Sequence, residues 1–162
     1  MIEVTLGEID LTFDPETWET VEECAERLEK EGDPFTEDEI EFFFDPETPI
    51  YFLRGTDAYI WMLAAPLKDF EGFGTKEYYE GIFDKVNNAV TDDDCTLIDA
   101  EIEERNDLLF INSFIDNNNG TFSRYITMSK DKFLYTIGLC FYSDESDEHY
   151  LYDLIDSISF DE

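Results

Sequence analysis

Between Ile98 and Phe141 the chain reads as four strand-length runs separated by short polar turns, and no other feature limits its fold as tightly. Ile98, Ala100 and Ile102 alternate with Asp99, Glu101 and Glu103, the period of a half-buried strand with an acidic outer face. Leu108 to Ile115, Thr121 to Met128 and Phe133 to Phe141 follow. The turns Asp116-Asn117-Asn118-Asn119-Gly120 and Ser129-Lys130-Asp131-Lys132 divide the last three. Connections this short cannot carry a chain back to start a parallel strand, so the runs must form an antiparallel meander.

The first half of the chain supplies what covers such a sheet. After a strand over Ile2 to Phe13, the sequence predicts a long helix. Asp14 caps it, Pro15 fits its first position and Glu16 suits the positive end of its dipole. Trp18, Val21, Ala25 and Leu28 form its apolar stripe, and Gly32 and Pro34 stop it. Thr36 and Glu39 have the spacing of a capping box ahead of Ile40, Phe42, Phe43 and Phe44. The pentapeptide Phe13-Asp14-Pro15-Glu16-Thr17 recurs at 44–48, which reads as one strand-exit chemistry used twice. Ile50 to Leu53 and Ala58 to Ala65 read as a hairpin around Arg54-Gly55-Thr56-Asp57. Pro66 to Gly74 is a loop. Thr75 then caps a helix carrying Tyr79, Ile82, Phe83, Val86 and Ala89 and ending near Asn87-Asn88. A last helix over Asp147 to Asp156 and a strand over Ile158 to Phe160 close the chain. The expectation is an α+β fold, an antiparallel meander covered by three to four helices, in one domain over residues 1–162.

Charge then narrows the partners. The sequence holds 42 acidic and 10 basic residues, a net charge of −32. Residues 1–50 hold 18 acids and two bases, half of that net charge. So few cations exclude direct nucleic-acid binding, which depends on Lys and Arg displacing counterions from phosphates. An anionic membrane surface is excluded for the same reason. Disorder, the other outcome of high charge, is countered by 43% hydrophobic and 16% aromatic residues. Those aromatics also fit poorly with the acidity of a salt-adapted proteome. Met1 to Glu8 has neither a basic n-region nor an apolar h-region, and Tyr59 to Pro66 is far shorter than the ~20 residues of a spanning helix. Cys24, Cys95 and Cys140 have no disulfide or zinc spacing and read as free thiols. A cytoplasmic location follows as the simplest expectation.

The end of the chain carries a family resemblance. Phe133-Leu134-Tyr135-Thr136-Ile137, an acidic loop, and then Tyr152-Asp153-Leu154-Ile155-Asp156-Ser157-Ile158-Ser159-Phe160 resemble the close of PsbP-like α/β/α-sandwich domains. The resemblance covers roughly the last 65 residues and implies a fold: a strand meander, a final helix and a terminal strand. Many members of that family act as binding or chaperone-like modules. No catalytic position carries over.

Catalytic constellations are scarce. The one histidine, His149, sits among Asp147, Glu148 and Asp153 and reads as a solvated helix residue rather than a triad member or ligand. Gly72-Phe73-Gly74-Thr75-Lys76 lacks the second half of either phosphate-binding glycine pattern. Asp92-Asp93-Asp94 and Asp116 to Gly120 are the places with clustered oxygens for calcium, yet neither has the spacing of a calcium loop. The sequence therefore assigns no catalytic residue, no metal site and no cofactor. It reads as a protein that is not an enzyme.

The acidic face of the first predicted helix is the candidate site. Asp14, Glu16, Glu19, Glu22, Glu23, Glu26, Glu29 and Glu31 give eight carboxylates in 18 residues. A helix of that length is about 27 Å long, so the acids recur every ~3.4 Å, the phosphate spacing along one DNA strand. Like charges at i,i+3 and i,i+4 cost a few tenths of a kcal/mol each, so the helix either accepts that cost for a solvated, soluble face or uses the face. Size, acidity and aromatic content resemble those of DNA-mimic proteins directed against restriction or CRISPR enzymes. That resemblance implies a partner-binding set of Glu16, Glu19, Glu22, Glu23, Glu26 and Glu29 facing a basic, nucleic-acid-handling protein. Two alternatives stand beside it. One is an immunity protein plugging a toxin's basic active site through aromatic anchors. The other is a PsbP-like ligand-binding or chaperone-like module, for which an exposed patch at Phe42, Phe43 and Phe44 is the expected sign.

Overall fold

The meander forms with its four strands adjacent in space. In a computed structural model describing residues 2–45, 48–54, 58–66, 76–90, 95–130, 133–141 and 148–160, they are β6 (Thr96–Arg105), β7 (Leu108–Asp116), β8 (Phe122–Lys130) and β9 (Phe133–Phe141). Asn106 and Asp107 join β6 to β7 with φ of 56° and 57°, the left-handed pair that a two-residue hairpin turn requires. Three earlier strands extend the sheet: β3 (Trp18–Thr20), β4 (Ile50–Leu53) and β5 (Tyr59–Pro66). The order is β3-β4-β5-β9-β8-β7-β6, with each neighbouring pair antiparallel. A small sheet, order β1-β2-β10, joins β1 (Ile2–Leu6), β2 (Ile9–Phe13) and β10 (Ser159–Phe160).

Strand alternation sorts residues onto two buried faces. Ile60 and Met62 of β5, Ile126 and Met128 of β8, and Tyr135, Ile137 and Leu139 of β9 face one way. They pack there against Ile9, Leu11 and Phe13 of the small sheet and against Leu154 and Ile155 of α4 (Glu148–Asp156). Gly7 turns β1 into β2 at φ +59°; a Cβ there would lie 2.7 Å from the Tyr135 hydroxyl. That hydroxyl accepts the Glu8 amide at 2.8 Å, pinning the small sheet to the large one.

The opposite face carries three helices: α1 (Val21–Lys30), α2 (Glu37–Phe43) and α3 (Lys76–Val90). Val21, Cys24 and Leu28 of α1 and the half-buried Phe35 and Phe43 cover Ile50 and Phe52 of β4. Tyr79 and Val86 of α3 cover Ile111 of β7. The fold is α+β, an antiparallel sheet layered between helices, as the sequence predicts. Among the described residues no helix is long and apolar enough to cross a membrane.

Several expectations change. The stretch read as one N-terminal strand is a hairpin. The first helix starts at Val21, not near Pro15, because Trp18, Glu19 and Thr20 pair with Leu53, Phe52 and Tyr51 of β4. That pairing satisfies their backbone and buries Trp18, which outweighs the preference of Pro15 for a helix start. Asp14 caps a turn instead, its Oδ1 accepting the Glu16 amide at 2.9 Å. The two pentapeptide copies share turn chemistry, Thr17 N–H donating to the Asp14 carbonyl and Thr48 N–H to that of Asp45. They do not share context, since Phe13 ends a strand and Phe44 caps a helix. Ile98 is half exposed because a bulge between Leu97 and Asp99 shifts the register of β6. The third helix runs on to Val90, past Asn87-Asn88. The loop at 67–74, the cap Thr75, Asp92 to Asp94 and the His149 side chain lie outside the described residues.

Candidate functional site

Thr20 fixes where α1 begins. Its hydroxyl accepts the Glu23 amide at 3.1 Å, filling one of the orphan donors of the first turn. In the 100° steps of a helix, Val21, Cys24 and Leu28 share the buried side. Round one flank come Ala25, Glu29, Glu22 and Glu26; round the other come Arg27 and Glu23.

The Arg27 flank is paired. Glu19 is 2% exposed on β3, where its Oε1 accepts from Arg27 Nη2 at 2.8 Å and from Nε at 3.2 Å. Arg54 adds Nη1 at 3.8 Å from the same carboxylate and reaches Glu23 at 3.3 Å. Arg54 also donates to the carbonyls of Pro15 and Trp18. The bond from Glu19 raises the Arg27 pKa above its ordinary value. Beneath this cluster burial pushes the Cys24 thiol up to about 11, with the Glu19 charge acting in the same direction.

The predicted six-residue set is therefore divided. Glu16 is exposed in the turn before β3, away from α1. Glu19 is a buried ion-pair partner and cannot face another protein, which corrects its placement on the helix surface. Glu23 is exposed but held by Arg54. Glu22, Glu26 and Glu29 stay together on the open flank of α1, with no cationic partner among the described residues. At ~1.5 Å per residue this ten-residue helix is about 15 Å long, not 27 Å. The acids form no phosphate-like row. They spread over a layer.

That layer runs from Val21 to Asp45. Eleven acids in it are exposed, against Lys30 and the paired Arg27 as the cations of the stretch. Arginine elsewhere is likewise engaged within the chain, at the surface for Arg105 and buried for Arg124. Arg105 makes two 2.8 Å bonds to Asp156. Arg124 is buried over the Phe114 ring and donates to Asn112, which with the Tyr152 hydroxyl donates to Glu103. Internal pairing uses all four arginines and leaves the acidic layer facing solvent.

Apolar groups interrupt the layer. The capping box of Thr36 and Glu39 forms as predicted and sets the direction of α2. Ile40, Phe42 and Phe44 are then 46%, 51% and 41% exposed, while Phe43 packs against Phe35, Phe52 and Tyr59. A groove of about 420 Å³ lies between Ala25 and Glu29 of α1 and Ile40 of α2 with its cap residue Phe44. A second hollow of about 330 Å³ continues past Phe44 toward Glu22 and Asp45. The sequence set omitted Ile40, Phe44, Glu37 and Glu41. Their signal was a short helix whose apolar positions, 40, 42, 43 and 44, are too many for one buried side.

A separate recess of about 510 Å³ opens on the sheet, lined by Trp61, Leu63, Tyr125, Cys140 and Asn117. Trp61 lies so close over β9 that a Cβ at Gly138 would sit 2.6 Å from its ring. The turn at Asp116 to Gly120 is closed by its own side chains. Asp116 accepts the Asn118 amide and Asn119 the Thr121 amide.

No family model matches the sequence, and no curated protein matches it. Among solved structures, the solution structure of the cyanobacterial PsbP protein CyanoP from Synechocystis sp. PCC 6803 is similar in fold. It shares 14% identity at a TM-score of 0.48, covering 98% of this chain and 95% of that one. A crystal structure from Bacteroides thetaiotaomicron VPI-5482 has 7% identity and a TM-score of 0.47. It covers 95% of this chain, which spans 45% of that longer chain. Both likenesses concern fold alone.

Proposed function

We propose that this chain is a non-enzymatic, strongly acidic binding protein that inhibits a basic, nucleic-acid-handling partner in the cytoplasm. DNA mimics directed against CRISPR or restriction enzymes act in this way. The observation that carries the reading is the Val21 to Asp45 layer, with eleven exposed acids and its arginine consumed by Glu19. A surface of one sign steers an oppositely charged protein and disfavours nucleic acid itself. The resemblance is one of charged area, since the acids do not follow a duplex in single file. Pull-down from a nuclease-rich lysate tests it, repeated at low and high salt. Capture of nucleic-acid-binding proteins at low salt and loss at high salt is expected. Lys at Glu22, Glu26 and Glu29 together should abolish the capture; unchanged capture by that variant defeats the proposal.

Exposed Phe42 and Phe44 are the sign expected of a PsbP-like ligand-binding or chaperone-like module, and with Ile40 they would equally serve an immunity protein with one cognate toxin. Buried apolar anchors dominate such interfaces, so its complex would survive high salt. A PsbP-like ligand-binding role would use that apolar patch or the recess at Trp61 and Tyr125, which Phe42 also lines. Binding would then be indifferent to the acidic layer.

A further inference from the structure

We infer that the groove between α1 and α2 receives an amphipathic basic helix of the partner, an inference that rests on the acidic-binding reading above. The groove is apolar at its floor and acidic on both rims. Ala25, Phe35, Ile40 and Phe44 line the floor. Helical geometry puts Glu22, Glu26 and Glu29 along the α1 rim, and Glu37 and Glu41 just outside Ile40 and Phe44 on α2. All five rim acids are exposed. Lys30 falls on the side of α1 away from the groove.

This charge pattern selects the occupant. A second copy of the chain would bring another net charge of −32 against the same acids. An extended peptide would need a sheet edge to satisfy its backbone, and two helices wall this groove. A helix satisfies its own backbone and offers apolar anchors at i, i+4 and i+7 with Lys or Arg on both flanks. With the second hollow the groove runs along α1 from Glu22 to Glu29, about 10 Å at ~1.5 Å per residue, which matches the i to i+7 span of such a helix. Phe44 lines both hollows and so forms the central contact.

The test uses fluorescence anisotropy with a labelled Leu/Lys peptide of about four turns, its leucines at helical spacing. The control is a scrambled isomer of identical composition and charge. The patterned peptide is expected to bind at least ~10-fold tighter than its isomer. Ile40→Asp with Phe44→Asp should erase that preference while the far-UV spectrum stays unchanged, because both side chains already face solvent. A second variant, Glu26→Gln with Glu41→Gln, should keep the preference and weaken both peptides. Equal binding of the two isomers, or a preference surviving Ile40→Asp and Phe44→Asp, overturns the inference. If the isomers bind alike while salt-sensitive capture of nucleic-acid-binding proteins persists, the groove falls and the acidic layer stands. Loss of that capture as well removes both.

Discussion

The two flanks of α1 hold similar numbers of carboxylates and treat them in opposite ways. On one flank Glu19 and Glu23 meet Arg27 and Arg54 within 2.8 to 3.8 Å, and the cluster joins β3, α1 and the β4–β5 turn. On the other, Glu22, Glu26 and Glu29 face solvent with no cationic partner among the described residues. Composition alone makes these acids equivalent. The fold makes one group structural and leaves the other group available for binding.

Glu19→Ala should break this contrast most severely. It leaves the Arg27 guanidinium without its buried partner and is expected to cost about 2–4 kcal/mol in chemical denaturation. The next effect comes from pH. The Cys24 thiol is raised from 9.0 to about 11, so between those values the unfolded chain ionises first and stability falls as pH rises. Burial raises Tyr79 and Tyr51 also, adding a decline of the same sign at higher pH. Denaturation series from pH 8 to 11 on the wild type and Cys24→Ala measure it; the variant should show the shallower slope. Thr20→Ala removes the cap shared by both flanks and should cost about 1 kcal/mol, read as a lower midpoint. The smallest effect has the opposite sign. Glu26→Gln relieves repulsion from Glu22 and Glu29 and should stabilise by ~0.5 kcal/mol at low ionic strength, fading as salt is added. A large loss from Glu26→Gln would show that the open flank is structural after all.

The meander was legible because its signal is local: alternation within each run and a turn residue at each end. The hairpin at 50–65 and the capping box at Thr36 were legible for the same reason. The first helix starts later than Asp14-Pro15-Glu16 predicts, because residues 18–20 pair as a strand instead. Their partner strand β4 lies some thirty residues away in sequence, beyond any local signal. The burial of Glu19 had no local signal, since its partner Arg54 arrives from another hairpin. Pairing of β10 with β2 likewise joins the two ends of the chain, which no short window reveals. Of the candidate site, the acids could be read from sequence. The groove could not, because it exists only where α2 lies beside α1.

The edges of the large sheet bear on how the protein behaves at high concentration. One edge, β3, is three residues long. The other, β6, exposes Asp99, Glu101 and Glu104 and is bent by the bulge after Leu97. Exposed strand edges template fibril growth when they are long, flat and uncharged. Neither edge here meets those conditions. A chain with fifteen phenylalanines can therefore carry seven strands in one sheet without offering a copy of itself a place to add an eighth.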